Sequence, residues 1–155
     1  LDLLLEVMDR YVAACRSDFA SVGLSDDTPE RKLLALFSVP RARNEAWKKL
    51  YGNAPGCFLG NVILEMGASE PVVRERAEKA IADLTVGIQQ VVEEYLSETA
   101  GKDRLRDGAG HAAADALMTF IQGAQIQAKA RNDPAVFDRY AVLAPAVVRG
   151  AVEER

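Results

Sequence analysis

The segment "SEPVVRERAEKAIADLTVGIQQVVEEYLSE", residues 69–98, constrains the fold more than any other part of this chain. Within it Ile81, Leu84, Ile88, Val91 and Tyr95 recur at spacings of three, four, three and four. Only a helix places those positions on one face. The opposite face carries Arg74, Glu78, Lys79, Glu93 and Glu94. The pattern predicts the longest helix of the chain, from about Pro71 to Glu98, with Ser69 as its N-cap. No stretch alternates apolar and polar residues, and no Asn-Gly or Asp-Gly joins β-branched runs. The Asp-Gly of "RDGAG" has helical pattern on both sides. The expected fold is therefore all-α, a bundle of about six helices in one domain spanning residues 1–155.

The other helices follow from caps and breakers. Leu4, Met8, Tyr11, Cys15 and Phe19 share a face, which predicts a first helix from about Leu3 to Val22, stopped by Gly23. Thr28 and Pro29 open a second helix as N-cap and first residue. Pro40 should break it after Phe37. "ARNEAWKKLYGN" reads as a short continuation with Ala46, Trp47, Leu50 and Tyr51 as its apolar members. Cys57 to Met66 form a short middle helix between Pro55-Gly56 and Gly67. "TAGKDRLRDGAG" is a polar connection, followed by a helix from about Ala109 to Arg131. The last helix starts with Asp133 as N-cap. It carries Phe137, Tyr140, Leu143, Ala144 and Val147 as a stripe and should kink at Pro145.

Composition removes several function classes. The net charge of −4 leaves no whole-chain basic footprint for nucleic acid. No apolar run reaches the length of a membrane span, and no signal peptide is visible. Cys15, Cys57 and His111 are too few for a zinc site, and two cysteines make no disulfide framework. A reducing, cytoplasmic setting is expected, with no metal and no cofactor. His111 reads as a first-turn or interface residue; Asp115, one turn later, gives it one partner but no triad. The chain opens without methionine and already in helical register, so a segment is expected to precede Leu1.

The helix at 109–131 has two committed sides. At about 100 degrees per residue, Leu117, Phe120, Ile121 and Ala124 form one arc. Ala112, Ala116, Thr119, Gly123 and Gln127 form an adjoining arc, all small but the last. Small residues let a second helix approach closely. The second arc, joined by Tyr140 and Val147, is the expected homodimer interface. The last two helices of each protomer would then make a four-helix bundle. The alternative is that both arcs lie in one protomer's core.

These pieces resemble the C-terminal ligand-binding and dimerisation domain of TetR-family transcriptional regulators. "GCFLGN" with Glu65 four residues after Asn61, then "SEPVVRERAEKAI", resembles the family's middle helix and the long helix after it. "ALMTFIQGAQIQAKARNDPAVF" resembles the penultimate helix and the turn into the last one. "LDLLLEVMDRYV" resembles the helix that follows the DNA-binding head. The resemblance covers about residues 1–22 and 55–150; residues 24–54 match poorly. It implies a regulator, a repressor in most such cases, whose operator DNA is held by an N-terminal helix-turn-helix head absent from this sequence. It implies a small-molecule effector as partner, held in a cavity within the bundle.

Such cavities are mostly apolar with a few placed polar groups. The wall residues available are Tyr11, Cys15, Phe37, Trp47, Tyr51, Phe58, Asn61, Met118, Ile121, Gln122 and Gln125. Each aromatic could equally fill core. Asn61 shares a face with Cys57 and Leu64, and its amide must bind either ligand or a neighbouring backbone. Gly60 costs about 1 kcal/mol within the helix, which a close helix crossing would explain. Cys57, at a helix N-terminus, is a candidate electrophile or redox sensor; its apolar neighbours argue instead for an inert buried thiol. The runner-up function is a small helical enzyme or carrier, which would need inward Glu-x-x-His pairs that this sequence lacks. A ligand-free helical scaffold is the third reading.

Overall fold

The computed structural model describes residues 1–101 and 106–153. Among them are eight helices and no strand: α1 (Asp2–Gly23), α2 (Pro29–Ala35), α3 (Ser38–Tyr51), α4 (Phe58–Met66), α5 (Pro71–Thr99), α6 (Ala109–Arg131), α7 (Val136–Ala141) and α8 (Ala144–Glu153). The expected polar connection runs partly through residues 102–105, which lie outside the described residues.

Helix α5 is the spine. Its expected stripe is buried at Leu84, Ile88, Val91 and Tyr95, with Ile81 half-buried. Helix α1 packs along one side of it and α6 along another, while α8 lies on α6. Met8, Cys15 and Phe19 of α1 reach this core, as do Leu117 and Ile121 of α6. Burying one such large side chain contributes about 1.5–3 kcal/mol. Lys32 of α2 ties the spine to the end of α1. Its ammonium donates to the Gly23 carbonyl at 2.8 Å and pairs with Glu94 at 3.1 Å. A cation at that helix terminus also meets the negative end of its dipole.

Capping corrects several expectations. Thr28 does cap α2, accepting from the Arg31 amide at 3.4 Å. Gly23, expected as a stop, stays helical, and the cap is Leu24 in right-handed conformation. The N-cap of α5 is Glu70; the Ser69 hydroxyl turns back to the Met66 carbonyl. Pro40 falls in the first turn of α3, where a missing N–H has no intrahelical acceptor to lose, so the break comes just before it. The expected single last helix is two. Asp133 accepts from the Ala135 amide at 3.0 Å in a turn, α7 ends at Ala141, and Pro145 takes the second position of α8. Of the expected stripe, Phe137 and Ala144 are buried and Tyr140 packs on the core, but with the helix restarted Leu143 is 46% exposed and Val148 is buried.

Helix α3 departs furthest from its sequence reading. Its buried members are Val39, Pro40 and Asn44. Trp47, Leu50 and Tyr51 are exposed, at 47%, 73% and 63%. The first half of the helix packs through these residues, while the second half is held by polar ties: Lys48 donates to the Asn132 carbonyl, and Asn132 Nδ2 donates to the Gly52 carbonyl at 3.1 Å. Gly56, between α3 and α4, sits at φ +75, and a Cβ there would lie 3.1 Å from Lys129 Cβ and 3.2 Å from the Gln125 carbonyl oxygen. Only glycine allows the chain this close to α6. Gly60, by contrast, marks no helix crossing. A Cβ there would meet only Cys57 of its own cap, at ordinary contact distance.

Candidate functional site

Helices α1, α3, α4, α5 and α6 converge on one small, partly open cavity. From α1 come Tyr11, Cys15 and Phe19, and from α3 come Val39, Pro40 and Arg43. Cys57 enters from the start of α4 and Leu84 from the spine. Met118, Ile121, Gln122 and Gln125 close the wall from α6. The free volume is about 20 Å³, room for one water-sized molecule.

The cavity is not purely apolar. Among the described residues, Arg43 is the one fixed cation on its wall. Its Nη2 donates to Asp18 on the outer side, and its guanidinium carbon lies 5.5 Å from the centre of the Tyr11 ring. Its Nε is buried and has no hydrogen-bond partner among the described residues. Burial pushes the Tyr11 hydroxyl far above its ordinary range, with Cys15 adding to the rise. Burial also pushes the Cys15 thiol up, while Arg43 and the Tyr11 hydroxyl act against it. These groups are therefore neutral at pH 7.

Cys57 is the N-cap of α4, and its sulfur accepts from the Gly60 amide at 3.3 Å. The helix N-terminus does act as the sequence suggests, since the Gly60 and Leu59 amides favour a thiolate. Burial outweighs them, and the thiol is pushed up. A raised value leaves less thiolate than in a free thiol at any given pH, which is the setting of an inert cysteine. In a Cys15→Ser chain, iodoacetamide at neutral pH should alkylate Cys57 at least about tenfold more slowly than in the urea-unfolded chain. The rate should climb only above the ordinary thiol range. Equal rates folded and unfolded would restore the sensor reading.

A second hollow lies outside this cavity. It is an open groove of about 530 Å³ between α4, α5 and α6, walled by Ile63, Leu64, Ile81 and Ile126. Cys57, Gln122 and Gln125 border both the groove and the cavity. The two spaces are thus separated by three side chains, two of them amides, with Gln125 Nε2 donating to Gln122 Oε1 at 3.3 Å.

The candidate wall residues divide accordingly. Tyr11, Cys15, Met118, Ile121, Gln122 and Gln125 meet at the cavity, and Cys57 joins them. Phe58 stands behind it, its ring 5.2 Å from that of Tyr11. Phe37 is buried away from it, edge-on to Phe120 at 6.0 Å. Asn61 faces the groove; it donates to the Pro55 carbonyl at 3.0 Å and accepts from Lys129 at 2.7 Å. Trp47 and Tyr51 line neither space. Their ring centres lie 4.4 Å apart with the planes tilted by 42°, on the exposed side of the C-terminal half of α3. Sequence reasoning missed Arg43 and Asn44, which sit in a segment read only for its apolar residues. No local signal marked them, since polar and charged residues in a helix are assigned to the surface by default.

The small-residue arc of α6 is uncovered. Ala112, Thr119 and Gly123 are exposed, and Ala116 and Gln127 half-buried. A Cβ on Gly123 would meet nothing within 4 Å. The arc therefore lies outside the protomer's core. Val147 is half-buried beside it on α8, whereas Tyr140 turns inward, its ring edge-on to Phe120 at 5.6 Å. His111, in the first turn of α6, is exposed and lies 3.2 Å from Gln89. Among the described residues, no helix is long and apolar enough to cross a membrane, and no three His, Cys, Asp or Glu group to hold a metal ion.

No curated protein and no solved structure matches the chain. A family model does, that of the tetracyclin repressor-like C-terminal domain, over residues 29–143. The match takes in helix α3, inside the region where the sequence resemblance is poor. With a helical bundle, a small cavity among its helices and a match over most of its length, the chain belongs to the tetracyclin repressor-like C-terminal domain family.

Proposed function

We propose that this domain senses a small, largely hydrophobic effector and pairs with a second copy of itself, as part of a cytoplasmic TetR-type repressor. The observation that carries the reading is the shared wall. Tyr11 and Cys15 of α1 line the same cavity as α6, whose small-residue arc faces out on another side. A ligand that parts these helices would move α1 relative to α6. In such a regulator a DNA-binding head precedes α1, so that movement would change the spacing of two heads across a dimer. The effector shifts the equilibrium only by its differential affinity for the two arrangements. Operator DNA would be a partner through that head alone, and no enzymatic step is assigned to this domain.

The ligand-free scaffold remains the second reading, because about 20 Å³ holds no effector without rearrangement. Two measurements on the purified protein separate them. Sedimentation equilibrium should give a dimer at micromolar concentration. The neutral fluorophore N-phenylnaphthylamine should bind saturably and raise the melting temperature. A dimer with no saturable binding would favour the scaffold, and a monomer would remove the pairing half of the proposal.

A further inference from the structure

Arg43 gives the cavity a chemical preference. Nη2 of the guanidinium is held by Asp18, which is 48% exposed and lies toward solvent. Nε is buried without an acceptor, the one such side-chain nitrogen or oxygen among the described residues. Buried donors in folded proteins are nearly always paired, so an unpaired one on a residue that lines the cavity is a place where a ligand that parts these side chains could supply the acceptor. The other ionisable groups on that wall are Tyr11, Cys15 and Cys57, each held in its neutral form by burial. Among the described residues, Arg43 is thus the one cation that lines the space, and its carboxylate partner Asp18 is not part of that lining. The groove beyond Cys57, Gln122 and Gln125 is bordered by Ile63, Leu64, Ile81 and Ile126. Apolar surface of that kind suits an aliphatic or aromatic body.

We propose that the effector is an amphipathic monocarboxylate. Its carboxylate accepts from Arg43 Nε in the cavity. Its apolar body passes the wall of Cys57, Gln122 and Gln125 and lies along Ile63, Ile81 and Ile126. The proposal rests on the sensing reading and adds the class of ligand. A planar carboxylate matches the edge of a guanidinium. A cationic amphiphile would meet Arg43 as a like charge. Ligand entry also has a defined cost in contacts: it must break the Gln125–Gln122 hydrogen bond, and the freed amides can then solvate the ligand's passage.

The test is displacement of N-phenylnaphthylamine from the intact protein by decanoate, decanol and decylamine. Decanoate should displace at about tenfold lower concentration than decanol, with decylamine weakest. Arg43→Gln should bring decanoate and decanol together while leaving decanol unchanged. Arg43→Lys, which keeps the charge and the Asp18 partner but lacks Nε, should lose most of the preference and guards against misfolding of the first variant. Lys129→Gln, at the groove, should keep the preference. Equal displacement by decanoate and decanol in the unaltered protein overturns the carboxylate and leaves the sensing reading standing. A preference that survives Arg43→Gln but not Lys129→Gln overturns the assignment to Arg43. No saturable probe binding at all removes both the proposal and the sensing reading.

Discussion

Replacing Asn44 with alanine should destabilise the domain by about 2–4 kcal/mol, the larger part from stranded backbone groups. Asn44 is 1% exposed. Its Oδ1 accepts from the Gly56 amide at 2.9 Å, and its Nδ2 donates to the Pro40 carbonyl at 2.9 Å and the Gly56 carbonyl at 3.4 Å. One side chain thereby fixes the chain at the left-handed glycine that delivers Cys57 to the cavity. Without it, the Gly56 N–H is left buried and unpaired, and its desolvation is no longer offset. Urea unfolding of the variant measures the loss. Asn44→Asp should be at least as damaging, since it removes the donor and buries a charge. A midpoint unchanged in Asn44→Ala would mean that the Gly56 turn holds without this tie.

Gly123→Arg should weaken pairing by about a hundredfold or more while the protomer stays folded. Gly123 is helical and exposed, and a Cβ added to it would find no other atom within 4 Å, so arginine costs the protomer no contact. Exchanging glycine for arginine within a helix even favours it by about 1 kcal/mol. In a two-fold interface the same substitution enters twice, near its own copy. Two bulky cations then replace a seam that lets helix backbones approach. Sedimentation equilibrium reads the change in association, and circular dichroism confirms that the monomer is helical. A variant that pairs as tightly as the parent would show that the small-residue arc of α6 is not the interface.

The two variants probe sites of very different legibility. Gly123 is visible in the sequence as one member of an arc of small residues at helical spacing. Asn44 is not, because nothing local distinguishes a polar residue that points to solvent from one that holds a backbone turn inside. The candidate cavity divides the same way. Tyr11, Cys15, Met118 and Ile121 are legible because each lies on the apolar face of a strongly periodic helix. Arg43 is not, because a cation is assigned to the surface by default, and its buried Nε depends on how α3 crosses α1.

What the sequence alone determined is the extent of the middle helix, the spine and α6, and the inward face of the spine. The bounds of α4, α5 and α6 lie within a residue of those expected, and Leu84, Ile88, Val91 and Tyr95 are buried as their spacing required. Those features are local: hydrogen bonds between near neighbours, caps, prolines and a repeat of about 3.6 residues fix them. Only the tertiary structure decided how far along each helix its face is covered. Trp47 lies one turn beyond Arg43 and Asn44 on α3, yet they are drawn inward and it is left outside. Periodicity specifies an angle around a helix axis. It carries no information on which neighbours a given turn of that helix meets, and those long-range contacts decided which side chains reach the cavity.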